Sequence, residues 1–379
     1  MSGLYIHIPW CIRKCPYCDF NSHEISQGFD EPAYVNRLLQ ELEQKLVTWM
    51  SPIETIYFGG GTPSLFQPQS FRRILEQLDL STVSEVTMEV NPGTTEHTNL
   101  KEYRDAGITR ISLGIQSFND KHLQRLGRIH NSAEATKSLT NALATDFDVV
   151  NVDLMYGLPQ QNIDEVLADL EVLEKFQPTH VSWYELTIEP NTRFAKYPPV
   201  LPSSNQQARM SELGCSYLAD LGYKRYEVSA FAKSRKTCNH NKNYWTFGDY
   251  IGVGAGAHGK KTTSSGVLRT LNVRTPKSYL AGKPGNEFKV LPKDLPVEFM
   301  MNVLRLTDGV DEELFVERTG LPIETIQETV ARLRSWELLQ TNKLQLTNKG
   351  FSQLNGVIAE FLNGSRSVKN ETALAVGDY

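Results

Sequence analysis

The chain has 379 residues and a net charge of −5, with 40% apolar and 22% charged residues. This composition predicts a packed globular protein with one large domain and a smaller one. The acidic balance argues against a nucleic-acid-binding function, which depends on clustered lysine and arginine. No apolar run is long enough to cross a bilayer, and residues 4–8 resemble a core strand rather than a signal peptide. We therefore expect a cytoplasmic protein.

The first two-thirds of the chain alternates short apolar runs, which predict strands, with amphipathic segments, which predict helices. Predicted strands cover residues 4–8, 55–58, 86–90, 110–114, 149–155 and 180–186. Predicted helices cover residues 32–49, 69–78, 98–106, 121–126, 133–144 and 163–176. Six successive βα units predict parallel pairing with right-handed crossovers. The predicted fold is therefore α/β, a partial (β/α)6 TIM-like barrel that stays open.

The remaining chain divides into segments of different character. Residues 1–222 are expected to form the barrel, including a helix over 205–221, and 223–292 a connecting region rich in glycine and aromatic residues. From residue 293 to 364 three predicted helices, over 297–306, 312–317 and 323–336, precede two strand-like segments, 338–341 and 343–346, and Thr347, a candidate N-cap. This order resembles a winged-helix-like module, and the acidic balance favours contact with protein over DNA. Residues 365–379 are polar and aperiodic, which predicts a disordered tail.

Three of the five cysteines lie within eight residues, at Cys11, Cys15 and Cys18. Their C-x-x-x-C-x-x-C spacing follows the first predicted strand, where sheets of this kind place their chemistry. Three thiolates on one loop can bind three irons of a [4Fe–4S] cube and leave the fourth iron open to a small molecule.

A zinc site and a disulfide are the alternatives for these three cysteines. A zinc site needs four ligands, and His7 or His23 would supply the fourth only at an unusual spacing. A disulfide leaves one cysteine over and suits an oxidising compartment. Cys215, within a predicted helix, is expected to be structural.

Polar or glycine-rich residues end each of the other predicted strands, so they are expected to lie at one edge of the sheet. In chain order these are Gly60, Gly61 and Thr62, then Glu89, then Gln116 with Arg128 beyond it, then Asp153, then Thr187. The glycine run lets a ligand approach the backbone, although a tight turn is the alternative. It lacks the Gly-Lys-Ser/Thr continuation of a phosphate-binding loop. An arginine such as Arg128 can hold a carboxylate in two hydrogen bonds, although a solvated loop charge is the alternative for each charged residue taken alone.

The cysteine loop, the Gly-Gly-Gly-Thr-Pro run at 59–63 and the Asp-Leu-Met-Tyr-Gly-Leu-Pro segment at 153–159 resemble the radical S-adenosylmethionine (SAM) superfamily. The resemblance implies that three cysteines hold the cube and that SAM binds the open iron through its amine and carboxylate. The cofactors would carry the difficult chemistry. Over nearly the whole chain, the closer resemblance is to the branch that holds oxygen-independent coproporphyrinogen III oxidases and the HemW family of haem chaperones.

The resemblance also implies roles for single residues. Cys11, Cys15 and Cys18 would bind the cluster, with Arg128 on the methionine carboxylate and Asp153 on the ribose of SAM. The remainder of the implied SAM pocket is Tyr5, Tyr17, Gly60, Gly61, Thr62, Glu89, Gln116 and, as a weaker candidate, Thr187.

Two features separate this chain from the oxidases within that branch. The oxidases carry a further cysteine two residues beyond the third, where this chain has Phe20, as HemW proteins do. The oxidases also carry a long extension before the cluster, whereas only a few residues precede the first predicted strand here. Both features favour the chaperones.

The segment His240-Asn-Lys-Asn-Tyr244-Trp245 matches the H-N-x-x-Y-W signature of HemW, which implies a role for His240 in haem binding. Imidazole can ligate haem iron, and aromatic rings can stack on a macrocycle. From the residues alone, a turn-capping histidine beside core aromatic residues is the alternative. His258 is another candidate ligand. Cys238 is a weaker candidate, since a buried inert thiol is the favoured interpretation. The G-x-G-x-x-G pattern at 254–259 is weak evidence for a dinucleotide site, because no βαβ unit surrounds it.

The resemblance therefore implies a haem chaperone that binds a [4Fe–4S] cluster, SAM and, as cargo, haem. Its expected partners are haem-acceptor proteins such as respiratory haem enzymes, including membrane-associated ones, and not nucleic acid. The alternative is an oxygen-independent coproporphyrinogen III oxidase, which decarboxylates two propionates.

Overall fold

The computed structural model describes residues 1–25, 28–94 and 100–362. The tail predicted over 365–379 lies outside these residues, as do the first two residues of the helix predicted over 98–106. The strands, in chain order from β1 to β14, are Ser2–Ile8, Trp10–Cys11, His23–Glu24, Thr55–Gly60, Glu85–Val90, Arg110–Gln116, Val149–Tyr156, His180–Glu185, Lys224–Arg225, Ala230–Ala232, Asp249–Val253, His258–Thr263, Gly266–Leu271 and Asn286–Lys289.

The α-helices connect or cover these strands. They are Glu31–Val47, Pro68–Leu75, Leu100–Asp105, Asp120–Arg125, Ser132–Ala144, Ile163–Phe176, Arg193–Lys196, Ser204–Asp220, Asn239–Trp245, Pro276–Leu280, Leu295–Val303, Glu313–Thr319, Glu324–Ser335, Asn348–Phe351 and Leu354–Glu360. Two short 3₁₀ turns, Pro63–Leu65 and Pro92–Thr94, follow β4 and β5. Within the described residues, no helix is long and apolar enough to cross a membrane.

Six parallel strands form the centre of the main sheet, in the order β1-β4-β5-β6-β7-β8. Each is followed by helical structure before the next, and neighbours in the chain are neighbours in the sheet. The α/β class and the open partial (β/α)6 barrel predicted from the sequence are thereby confirmed. Several observed strands run one or two residues past their predicted ends, among them Thr55–Gly60 and Arg110–Gln116.

The segment between residues 223 and 292 extends this sheet at both edges. Strand β11 pairs parallel with β1, and β12, β13 and β14 continue antiparallel from it. At the other edge β10 pairs antiparallel with β8, and β9 with β10. Within the part of the chain that the structure describes, the sheet therefore has twelve strands, with antiparallel ends that flank the parallel barrel.

Among the described residues, the two largest apolar cores support this arrangement. The larger lies between the barrel strands and their helices, and its fully buried members include Ile56, Phe58 and Ile111. The second belongs to the C-terminal helices, includes Phe299 and Phe315, and reaches Phe247 just after the Asn239–Trp245 helix. Packing of both cores against neighbouring elements ties the C-terminal helices to the barrel.

The C-terminal module follows the predicted order of three helices and then a short paired segment. The predicted hairpin is reduced to one isolated antiparallel bridge between Leu339 and Leu346, and a second bridge joins Leu344 to Val310, which lies outside the predicted hairpin. The Thr347 hydroxyl accepts a hydrogen bond from the Gly350 amide at 3.0 Å, so Thr347 is the N-cap that the sequence predicts. The domain boundaries given above stay a prediction.

Candidate functional site

A cavity of about 1060 Å³ runs through the barrel, and every residue predicted to bind the cluster or SAM lines it, together with His240. The cysteine loop lies beyond the carboxyl end of β1, whereas His240 lies beside Thr55, the first residue of β4. A strand the length of Thr55–Gly60 spans about 17 Å at about 3.3 Å per residue. The predicted residues therefore share one cavity but occupy its two ends.

The three cysteines each meet a different hydrogen-bonding group. The Thr62 hydroxyl donates to Cys11 Sγ at 3.4 Å, and Arg128 Nη1 donates to Cys15 Sγ at 3.6 Å. Cys18 Sγ lies 3.8 Å from the Ser22 hydroxyl. Such donors and a guanidinium stabilise negative sulfur, which is the form that binds iron.

Burial raises the pKa of the Cys11 thiol, and burial raises the pKa of Cys18 to about 11. These thiols are therefore protonated at neutral pH unless a metal displaces the protons. In residues 1–25, 28–94 and 100–362, no group of three or more His, Cys, Asp or Glu side chains is arranged to hold a metal ion. A cube differs from a single ion because each thiolate binds its own iron, and the loop offers three thiols to one cavity wall.

The cysteine loop is fastened to the segments that follow β11 and β13. The Asn21 side-chain amide donates to the carbonyls of Ala255 at 2.9 Å and Arg274 at 2.8 Å. A Cβ on Gly256 would lie 2.2 Å from Asn21 Nδ2, so only glycine leaves room for this contact. The loop conformation thus depends on a segment more than 200 residues away.

The glycine run places backbone against the loop. Gly61 donates its amide to the Ile8 carbonyl at 2.7 Å, and its Cβ position lies only 2.5 Å from the Trp10 carbonyl oxygen. Gly60 has φ +108°, and a Cβ there would meet the His7 ring at 2.3 Å. The run therefore needs glycine both for its conformation and for close approach.

Arg128 is a cation at the cysteine end of the cavity. Its Nη2 donates to the Gly114 carbonyl at 2.6 Å and its Nη1 to Cys15, while its buried Nε has no hydrogen-bond partner. A buried donor without a partner is costly and indicates a ligand group in the working protein. A carboxylate is the group that this donor suits best.

Two carboxylates face the same space. Burial raises the pKa of Glu89 to about 7, although the Tyr57 hydroxyl at 2.9 Å and the Gly60 amide at 3.0 Å donate to it. Burial also raises the pKa of Asp153, whose oxygens accept from Ser112 at 3.1 Å and Asn151 at 2.8 Å. A cation or hydroxyl groups from a ligand would favour the ionised forms of both.

The other candidates complete this end of the cavity. The Tyr5 hydroxyl lies 3.0 Å from His7 Nδ1, and Tyr17 packs on Phe194 with ring centroids 6.4 Å apart.

Gln116 has φ +71° at a register shift between β6 and β7, and its Oε1 accepts from the Tyr184 hydroxyl at 2.6 Å. Such a conformation is uncommon for a residue other than glycine and is often found at functional sites.

Thr187 also lines the cavity, but it is exposed to solvent and is the weakest of these candidates.

His240 lies at the opposite end, fully buried at the start of the Asn239–Trp245 helix. Its Nδ1 lies 2.9 Å from the Thr55 hydroxyl and its Nε2 lies 2.9 Å from the Tyr244 hydroxyl. Burial, together with the positive charge of Arg110, lowers the pKa of His240 to about 3. In this arrangement both ring nitrogens are engaged, so ligation of an iron would require one of these hydrogen bonds to break.

Several residues that shape the cavity belong to no motif in the sequence. Tyr57 and Tyr184 hold Glu89 and Gln116, and Asn21 fastens the cysteine loop. Arg110 is 3% exposed, lines the cavity, and has a buried Nε without a hydrogen-bond partner. Tyr57 and Arg110 lie on barrel strands, where residues with inward-facing side chains alternate with residues packed on the helices, so period-two patterning could have indicated them.

Comparison with known proteins first defines the class. Residues 5–173 match the Radical SAM superfamily, and residues 290–352 match the HemN C-terminal domain. The structure of coproporphyrinogen III oxidase (HemN) from Escherichia coli, described as a radical SAM enzyme, superposes with a TM-score of 0.79. That match has 20% sequence identity and covers 95% of this chain and 89% of that one, so it establishes a common fold. The molecule is a radical SAM protein, and its domain implies a [4Fe–4S] cluster and SAM.

Full-length relatives then define the family. The Heme chaperone HemW of Haemophilus influenzae is 44% identical over 95% of this chain and 97% of that protein. The Heme chaperone HemW of Escherichia coli is 42% identical over 95% and 98%, and that of Bacillus subtilis 33% over 96% and 99%. The chain belongs to the HemW family.

Proposed function

We propose that this protein is a haem chaperone, which binds haem and delivers it to acceptor proteins such as respiratory haem enzymes in or at the membrane, from the cytoplasm. The observation that carries the proposal is similarity over at least 95% of the chain to proteins named Heme chaperone HemW, at 33–44% identity in three bacteria. The haem cargo, the acceptors and the cytoplasmic location all belong to this proposal.

At the cysteine end, Cys11, Cys15 and Cys18 would hold the cluster and Arg128 would pair with the SAM carboxylate. When bound, the cluster supplies an electron source and one iron open to SAM. The protein's own contribution is positioning. Asn21 fixes the loop, and the Thr62 hydroxyl donates to a cluster ligand. Glu89 and Asp153 offer acceptors to the cationic and hydroxyl-bearing parts of the nucleoside.

At the other end, the Asn239–Trp245 helix carries the H-N-x-x-Y-W signature against the floor of the barrel. Tyr244 packs on His240 at 4.8 Å between ring centroids and on Tyr250 at 4.6 Å. Aromatic edges and faces of this kind suit a flat apolar macrocycle. The proposal therefore separates the haem region from the SAM region along one cavity.

Coproporphyrinogen oxidation is the alternative, because the fold is shared with an enzyme of that activity. Phe20 favours the chaperone, since it occupies the position of the additional cysteine expected in the oxidases. Its side chain is 37% exposed at the edge of the cavity, and its carbonyl accepts from Lys14 Nζ at 2.8 Å. A phenyl ring there cannot act as a thiol ligand or reductant.

The test is an anaerobic assay of the cluster-reconstituted protein with SAM and a reductant. Haem and coproporphyrinogen are offered in parallel, haem binding is followed by its Soret band, and tetrapyrrole products are separated by chromatography. We expect about one haem bound per chain and no protoporphyrinogen. Protoporphyrinogen formation without haem retention would replace the chaperone proposal with the oxidase.

A further inference from the structure

The end of the cavity remote from the cysteines holds a second polar cluster. Glu227, Trp245 and Arg305 all line the cavity there, and each carries a buried polar atom without a hydrogen-bond partner. The atoms are Glu227 Oε2, Trp245 Nε1 and Arg305 Nε. Buried polar groups are normally hydrogen-bonded, so three buried polar atoms without a partner at one end of the cavity indicate a ligand-binding position.

Contacts that do not involve Nε hold the Arg305 side chain in place. Its guanidinium stacks on the Trp245 ring, with Cζ 4.4 Å from the ring centroid. Its Nη2 lies 3.8 Å from Glu227 Oε2, which is beyond hydrogen-bond distance. The aromatic stack fixes the plane of the guanidinium, and the long ion pair leaves donors available to another acceptor.

Trp245 supplies a second donor from the same stack. Its indole N–H is a donor only, so an unpartnered Nε1 can be satisfied only by an acceptor. Two unsatisfied donors, one of them cationic, select an anionic acceptor, and a carboxylate fits both.

The carboxylate of Glu227 lies beside these donors but does not remove their preference for an anionic ligand. It is 3% exposed, and its Oε1 accepts from the Ser229 amide at 2.9 Å. Burial raises the pKa of Glu227, so its charged form is less favourable there than in an exposed glutamate. Arg225, also at this mouth, is already engaged with the carbonyls of Glu227 and Val228, so its role is to hold the loop.

The surroundings suit the apolar body of such a ligand. The Phe351 ring lies under the Arg225 guanidinium, with Cζ 4.5 Å from the ring centroid, and the segment from 351 to 356 closes the mouth from the C-terminal module. Tyr244 and Tyr250 also line the cavity. A carboxylate site bordered by aromatic rings matches a flat tetrapyrrole that carries propionate side chains.

We infer that Arg305 and Trp245 bind a propionate of the haem cargo, and that haem enters at the barrel end covered by the C-terminal module. This inference rests on the proposed function, since it names the subsite that would recognise the cargo of a haem chaperone. It places cargo recognition outside the cluster and SAM region.

The test compares haem with haem dimethyl ester, which has the same macrocycle but no carboxylates. Both are titrated into the full-length protein and followed by Soret absorbance. Wild type should bind haem at least about tenfold more tightly than the ester, since hydrogen bonds to a charged group are the strong ones. Arg305→Gln should bind the two ligands about equally, chiefly because its affinity for haem is lower than that of wild type.

A matched control comes from the C-terminal module. Arg332 also stacks on a tryptophan, with Cζ 5.7 Å from the Trp336 ring centroid, and pairs with Glu360 at 3.0 Å, but it does not line the cavity. Arg332→Gln should keep the full preference for haem. Trp245→Phe, which keeps a ring but removes the donor, should lose part of the preference and serves where Arg305→Gln does not fold.

The outcomes separate the two claims. If wild type binds haem and the Arg305 and Trp245 variants keep its preference over the ester, the propionate subsite is wrong while the haem function stands. Equal binding of haem and ester by wild type would likewise overturn the subsite. If wild type binds no haem, the proposed function fails and the subsite falls with it.

Discussion

Many of the side chains that line this cavity are buried and ionisable. Glu89, Asp153 and Arg110 lie within the barrel, and each is surrounded by polar groups from neighbouring strands. Most of these partners belong to other βα units, so they cannot be predicted from the local sequence. The motif residues were predictable because they follow strand ends, whereas partners such as Tyr57 became apparent only once the strands were paired.

Glu89 makes stability depend on pH. Its folded pKa of about 7 exceeds the ordinary value of 4.5, so the folded state binds more protons between these values. The contribution of Glu89 to the free energy of unfolding is therefore greatest below about pH 4.5 and decreases as the pH rises through about 7. Glu89→Gln removes this titration and keeps an acceptor for Tyr57. We expect the Tm of Glu89→Gln, relative to wild type without ligand, to increase between pH 5 and pH 8.

Thermal unfolding of both proteins across that range measures the effect. A difference in Tm that stays constant with pH would show that Glu89 titrates normally.

Cys15→Ala tests the metal assignment. Removing one of three thiolates should abolish stable cluster binding, seen as loss of visible absorbance and of most bound iron after anaerobic reconstitution. The far-ultraviolet circular dichroism should stay unchanged, because the Cys15 side chain is half-buried and lies at the cavity wall. Cys215→Ala is the matched control, since Cys215 lies in the helix Ser204–Asp220 outside the loop. Full iron retention by Cys15→Ala would contradict the assignment.

At the scale of elements, the barrel strands and helices were the most predictable part of the chain. Their alternation of apolar runs and amphipathic segments depends on local sequence, and most ends agree to within two residues. The strands β11 to β14 were not predicted. Glycines at 252, 254, 256 and 259 weaken the strand pattern there, and pairing with β1 decides the structure instead.

The Asn239–Trp245 helix depends on one buried carboxylate. Glu85, at the start of β5, accepts from the amides of Asn239 at 3.0 Å and His240 at 3.1 Å and from Cys238 Sγ at 3.3 Å. Glu85→Ala would leave these donors unsatisfied and remove a negative charge near Arg110. We expect the free energy of unfolding to fall by about 3 kcal/mol.

Chemical denaturation measures this change, with Glu171→Ala as the control, because Glu171 is exposed on the helix Ile163–Phe176. The control should change stability by less than about 0.5 kcal/mol. An equally small effect of Glu85→Ala would show that the carboxylate does not hold the helix.

At the scale of the whole molecule, the C-terminal module and the barrel enclose one continuous cavity with chemically different ends. The cysteine end offers thiols, glycine backbone and Arg128, whereas the other end offers aromatic rings, Trp245 and Arg305. The residues that line the cysteine end were predictable from the sequence, but the location of His240 at the other end was not. That separation follows from the barrel, because β4 begins at one end and finishes at the other.

The separation leads to a test of the central claim, that one chain carries haem and SAM in different places. Haem is titrated anaerobically into cluster-loaded protein with and without saturating SAM, and bound haem is measured by Soret absorbance. We predict one haem per chain in both titrations, with SAM still bound at the end. Displacement of SAM by haem, or of haem by SAM, would show that the ligands share one end of the cavity and would contradict this account.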